Sequence, residues 1–197
     1  YAATYSLAIL DDLLRKYQRS WMVVDNEVRE TFIARALQAP PLTKDQSDLI
    51  SRCLQLENVA HGEFKEIKST SYRIKFYQKY DRSAGGEKHV AIGKAFAEID
   101  TSAENVLAWR WDWCSREKLR IYREDKKSLS RSVVKEVNAR EIVIETTKRF
   151  PPPFKNRQFV LKCVWSGPDA DGCYFYCWES IEVPGLRSTG SIRADSR

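Results

Sequence analysis

Leu7, Leu10, Leu14, Tyr17, Trp21, Val24 and Val28 recur at alternating spacings of three and four, which lays one apolar stripe along a helix from about residue 3 to residue 38. The stripe fits a helix packed on its own domain and also a short coiled coil. Ala39-Pro40-Pro41 ends the helix, because proline lacks the backbone N–H and forces its predecessor out of the α region. Thr43 and Gln46 then have capping-box spacing, and Leu49, Cys53, Leu56 and Ala60 share one face of a second helix that His61-Gly62 closes.

Beyond Gly62 the period changes from helical to two. Strands are predicted over 64–69, 74–80 and 90–99, with Ser83-Ala84-Gly85-Gly86 as a hairpin turn. Thr101 and Glu104 form a second capping-box pair ahead of a helix over 103–113. Val106, Leu107, Trp109, Trp111 and Trp113 make that helix apolar around most of its circumference, so it is expected to be sandwiched between other elements. Four more strands follow over 132–137, 141–149, 158–165 and 173–182, with turns at Asn138-Ala139-Arg140 and Asp171-Gly172. Helices, three strands, a helix and a strand meander describe an α+β layout with an antiparallel sheet.

Composition narrows the class. With 43% apolar and 12% aromatic residues, the 197-residue chain can bury a sizeable core, and no apolar run is long enough to span a membrane. The net charge of +6 is concentrated in 115–131, which holds seven basic and three acidic residues. Such a run fits a solvated loop or short helix, and also a patch that touches anionic membrane. Five cysteines are odd in number and contain no C-x-x-C pair, which points to a reduced, cytoplasmic setting. The first residue is Tyr1, the only methionine is Met22 and the last stretch is polar, so the chain is expected to be part of a longer polypeptide with neighbouring domains.

No chemistry-bearing motif emerges. The nucleophile elbow and the glycine-rich phosphate loops are absent, and the two histidines, His61 and His89, have no metal-ligand partner spacing. The expectation is a non-enzyme with no catalytic residue, no metal, no cofactor and no nucleic-acid module. The strand over 158–165 is the informative one. Phe159, Leu161, Cys163 and Trp165 share one face and Val160, Lys162 and Val164 the other; the lysine marks the second face as outer, so the first row points inward. For 173–182 both faces are bulky, and pattern does not choose between them. An uncharged inward row is either plain core or the wall of a cavity for an apolar ligand.

A resemblance bears on that choice. The run Pro151-Pro152-Pro153-Phe154-Lys155-Asn156-Arg157-Gln158-Phe159-Val160 resembles the START-domain motif in which a proline-containing loop leads into an Arg-Asp-Phe-Val strand opening. Arg193 follows Arg157 by 36 residues, and Gly190-Ser191-Ile192-Arg193-Ala194-Asp195 resembles the family's Ile-Arg-Ala strand opening. The stretch from Val90 to Trp113 is similar to the part that precedes the cavity strands, above all in multi-domain START proteins of algae and other microbial eukaryotes. The resemblance spans 42–197, with 1–41 as a helical linker or appendage.

It implies a helix-grip fold, a curved antiparallel sheet with N-terminal helices around a tunnel for one phospholipid, sterol or ceramide, bound or transferred without covalent chemistry. Phe159, Leu161, Cys163, Trp165, Trp109 and Arg157 are the implied lipid-binding residues, with Glu145 and Glu179 as further polar candidates. Lipid and transient membrane-surface contact are the implied partners. Two positions depart from the pattern: Gln158 replaces the usual acid beside Arg157, and Cys163 stands where several sterol binders carry a buried arginine, which argues against assuming a sterol. The C-terminal gripping helix lies beyond Arg197, so the chain is expected to expose an apolar sheet face and to bind lipid poorly or aggregate. The alternative is a regulatory or protein-interaction module of a larger signalling or trafficking protein.

Overall fold

The computed structural model describes residues 26–58, 61–69, 73–81, 90–125, 127–186 and 191–193. The stripe from Leu7 to Val24, the turn at Ser83 to Gly86, and Gly190, Ala194 and Asp195 of the second motif lie outside the described residues. The described chain forms two compact units, one from 55–102 and the other from 24–54 with 103–197. No helix among the described residues is long and apolar enough to cross a membrane.

The smaller unit is an antiparallel meander of β1 (Lys65–Ile67), β2 (Ile74–Asp81) and β3 (Val90–Ala97). Its β2 alternates as a half-buried strand should: Ile74 and Phe76 are buried while Lys75 is exposed. Tyr77 meets Phe96 edge-on at 5.8 Å, Lys94 sits 4.9 Å above the Phe64 ring, and Lys79 pairs with Glu63.

The larger unit holds α1 (Asn26–Leu37), α2 (Lys44–Glu57), α3 (Ala103–Trp111), α4 (Arg116–Glu124) and the strands β4 (Ser128–Asn138), β5 (Glu141–Lys148), β6 (Asn156–Ser166), β7 (Phe175–Ser180) and β8 (Ser191–Arg193). Strands β4 to β7 form an antiparallel sheet in chain order, and β8 pairs parallel with the start of β6. Local chemistry sets most boundaries. The predicted capping box opens α2 reciprocally, the Thr43 N–H donating to Gln46 Oε1 at 3.0 Å and the Gln46 N–H to Thr43 Oγ1 at 3.3 Å. The Arg140 N–H donates to Asn138 Oδ1 at 2.8 Å in the β4–β5 turn, and Gly172 takes φ 77° before β7, a value that favours glycine. The β6–β7 connection also needs Gly167, whose φ is 114° and where a Cβ would lie 2.5 Å from the Cys173 carbonyl oxygen.

Two boundaries depart from the pattern-based expectation, the end of α2 and the start of β4. His61-Gly62 does not close α2, which stops at Glu57; those residues instead open a single tight turn, His61–Glu63. The basic run over 115–131 takes the short-helix form over α4, where Ser115 is the cap and accepts the Lys118 N–H. Strand β4 begins at Ser128 rather than Ser132, since its early residues satisfy polar rather than apolar partners: Ser130 and Ser132 hydroxyls donate to Glu145 on β5.

Helices pack on both faces of the sheet, so Val160, Lys162 and Val164, read from the lysine as the outer row, are themselves buried. Helix α2 lies over that side, with Leu49 and Ile50 packed on Val164 and Cys177. Val160 and Val164 have no exposure at all. Lys162 is buried because α2 and β7 supply its counter-ions, Asp45 at 2.8 Å and Glu179 at 2.7 Å. Burial alone would lower the Lys162 ammonium, but the two carboxylates outweigh it and hold it raised. Arg52 joins the clasp at 2.6 Å from Glu179, and Gln46 Nε2 donates to Glu141 at 2.8 Å.

Candidate functional site

The opposite, inner face carries the row predicted from period two. The β5–β6 register sets Ile142 beside Cys163 and Ile144 beside Leu161, and the β6–β7 register sets Cys163 beside Trp178 and Trp165 beside Tyr176. Pairing therefore resolves what pattern left open: Tyr176 and Trp178 of β7 share the inner face, while Cys177 and Glu179 share the outer one. Glu145 and Glu179, polar candidates by sequence, sit on the outer side, where Glu145 accepts from the Ser130 and Thr147 hydroxyls at 2.7 Å each.

Helices α1 and α3 roof this face. Phe32 of α1 and Leu107, Ala108 and Trp111 of α3 form one buried cluster with Ile142, Ile144, Cys163 and Trp165. The expected exposed apolar face is thus absent at these strand positions. Its hub is Trp165, at 1% exposure, whose ring centroid lies 5.1 Å from Phe32 and 6.4 Å from Trp111. Its indole N–H donates to the Ala139 carbonyl at 2.8 Å, and the Arg140 guanidinium lies 4.5 Å above the ring. Arg140 Nε also donates to the Pro40 carbonyl at 2.9 Å, tying the end of the α1 connection to the β4–β5 turn.

Between α1, the end of α3 and β4–β5 lies a cleft of about 360 Å³, within the size range of small-molecule sites. Phe32, Ala108, Trp111, Val133 and Ile142 supply its apolar wall; Arg35, Asp112, Cys114 and Glu136 also line it. Sequence reasoning missed this cleft, because Phe32 and Arg35 come from a helix assigned to an appendage and the contacts are tertiary.

The six predicted residues do not converge on one point. Cys163 and Trp165 are in the roofed cluster, and half-buried Leu161 packs at its margin. Phe159 is half-buried further along the same row, opposite Thr146. Arg157, at the start of β6, lies opposite Lys148 and 5.1 Å over the Phe150 ring. Trp109 is set aside from the cluster and packs under Lys118, whose ammonium is 4.3 Å from its ring.

The face is chemically quiet. Burial pushes the Cys163 thiol up to about 11, and the Tyr176 hydroxyl against it is raised for the same reason. Cys177, on the outer face, is raised to about 12 by burial and by the Cys53 thiol beside it. Thiols held this high are protonated at neutral pH and make poor nucleophiles. Exposed Cys173 is therefore expected to react with iodoacetamide well before Cys163 and Cys177 in the native protein. Peptide mapping of a timed alkylation checks this, and comparable early labelling of Cys163 would contradict it.

Several cations among the described residues of the basic run are engaged within the fold. Lys118 is buried, Arg120 pairs with Glu124 at 2.6 Å and with Glu117, and Arg131 stacks 3.5 Å from the Trp113 ring. Arg116, Arg123 and Lys127 are left exposed.

The fold is similar to that of solved START-type domains, which is the helix-grip fold. The human StarD13 (DLC2) lipid transfer and protein localization domain matches with a TM-score of 0.54 and 19% identity over 74% of this chain and 70% of that one. Human STARD10 matches at 0.57 and 17% identity over 79% of this chain and 58% of that one. Human StAR-related lipid transfer protein 5 gives 0.57 and 14% identity, covering 76% and 68% respectively. No family model matches the chain, and no curated protein is matched by its sequence.

Proposed function

We propose that this chain is a START-type module that binds a lipid without covalent chemistry, with 42–197 as the lipid-binding domain and 1–41 as an appendage whose α1 folds onto it. The observation that carries the reading is the inner row of the sheet, Phe159, Leu161, Cys163 and Trp165, which holds no charge; Cys163 and Trp165 lie in the cluster under α1 and α3, and Cys163 pairs with Ile142 of the cleft wall. Each methylene moved from water to such a surface contributes about 0.8 kcal/mol, so an acyl chain of a dozen carbons offsets roughly 10 kcal/mol of extraction from a bilayer. The solved domains of the same fold include two whose names state lipid transfer. Arg157 at the start of the row and Trp109 near α4 are the proposed outlying contacts. The odd number of cysteines suits a reducing, cytosolic setting, and exposed Arg116, Arg123 and Lys127 are the proposed transient contact with an anionic membrane.

Titration of the protein with NBD-labelled phosphatidylcholine, ceramide and cholesterol tests the reading. Saturable binding of at least one probe is expected, weakened about tenfold or more by Leu161→Gln, which sets a polar group in the row without emptying it. Absence of binding to every probe by a folded protein would overturn the reading and favour a regulatory or interaction module.

A further inference from the structure

Helix α1 covers part of the surface on which the ligand is proposed to lie. We propose that α1 is a displaceable cover on the inner face of the sheet, held by Phe32 and lifted when a lipid chain takes the place of that ring against Trp165; this rests on the lipid-binding reading above.

Coverage comes first. Phe32 is 5% exposed and its ring meets Trp165, so the same apolar surface cannot hold Phe32 and a lipid chain together. The hold is narrow. A helix built into a core buries a stripe of three or four side chains per two turns. Among the described side chains of α1, Phe32 alone is fully buried; Arg29, Ile33 and Ala36 are half-buried, and Glu30, Thr31, Ala34 and Arg35 are exposed. Leu37 is 84% exposed. By contrast α2, on the other side of the sheet, buries Gln46, Leu49 and Ile50 and is clasped by two ion-paired residues, Asp45 and Arg52.

The cleft already opens beside Phe32, so a chain end has somewhere to enter before the ring moves. The connection is anchored independently of α1 as well. The Pro40 carbonyl is held by Arg140, and Thr43 and Gln46 cap α2, so α1 can leave while α2 stays. Segments bound by few buried contacts open at low cost, and a cover that is mostly closed weakens apparent affinity by the fraction of time it is open.

The test compares the wild-type 1–197 chain with Phe32→Ala, using NBD-phosphatidylcholine and NBD-ceramide in phosphatidylcholine vesicles, with amide hydrogen exchange read over 26–37. Phe32→Ala is expected to bind about tenfold tighter than wild type, and the wild-type α1 amides to exchange faster once lipid is bound. Wild type binding as well as Phe32→Ala, or better, overturns the cover and leaves the lipid reading standing. Failure of both proteins to bind either probe overturns the lipid reading and the cover with it. Should Phe32→Ala not fold, Arg35→Cys in a Cys53→Ser, Cys173→Ser background, joined to Cys114 across the cleft by a short bis-maleimide, reads the opposite sign. The locked protein should take up no lipid and the unlocked one should, while equal uptake by both overturns the proposal.

Discussion

Trp165→Ala is expected to lower the stability of the larger unit by about 3–5 kcal/mol, a large share of the 5–15 kcal/mol that holds a typical domain together. Three separate losses add at this position. The ring is the contact between α1, α3 and the sheet, so its removal leaves a void that Phe32 and Trp111 cannot both fill. The Ala139 carbonyl loses its indole donor, and the Arg140 guanidinium loses the face on which it rests. Trp165→Phe separates these: it keeps most of the ring and loses the N–H, for an expected cost of about 1–3 kcal/mol. Trp178→Ala is the control. That residue shares the inner face but is 41% exposed, and its loss should cost no more than about 1 kcal/mol. Urea denaturation followed by far-ultraviolet circular dichroism gives all three values. Equal losses for Trp165→Ala and Trp178→Ala would show that the hub does not hold the unit.

Much of that hub was visible in the chain itself. Alternation placed Phe159, Leu161, Cys163 and Trp165 on one face without reference to any partner, because a strand's period of two is a property of its backbone. The capping box at Thr43 and Gln46 was equally local. The opposite face misled, because Lys162 reads as solvent-exposed by residue type while two carboxylates from distant elements, Asp45 and Glu179, bury it. No local rule reports a partner 117 positions away. Tyr176 and Trp178 were ambiguous for a related reason: both faces of β7 are bulky, and only its register with β6 distinguishes them. The cleft was the least legible feature, since it needs α1 brought back onto the sheet.

Lys118 extends the same lesson to stability and pH. By sequence it belongs to a solvated basic run, yet it is 2% exposed, and its ammonium donates to the carbonyl oxygens of Trp109 and, at 3.5 Å, Arg110. These are last-turn carbonyls of α3, where a cation is favoured by the helix dipole. Lys118→Ala empties the space of the buried stem and orphans those acceptors, for an expected loss of about 2–4 kcal/mol. The charge itself carries a penalty. Burial first, and then Arg131 and Arg110, lower this lysine well below its ordinary 10.5, with Asp112 and Cys114 opposing. Between that lowered value and 10.5 the unfolded chain binds the proton more readily than the folded one, so Lys118 contributes a stability that rises with pH across this window. Below the window both states are protonated and the full penalty remains. Lys148 is lowered and acts in the same direction, whereas the raised Cys163, Cys177 and Tyr176 act against it as pH climbs. The comparison with Lys118→Met isolates the contribution, because methionine fills the stem's space and does not titrate. Denaturation midpoints from pH 7 to pH 10 should show wild type gaining on Lys118→Met as pH rises; parallel curves would mean that the buried ammonium does not set this response.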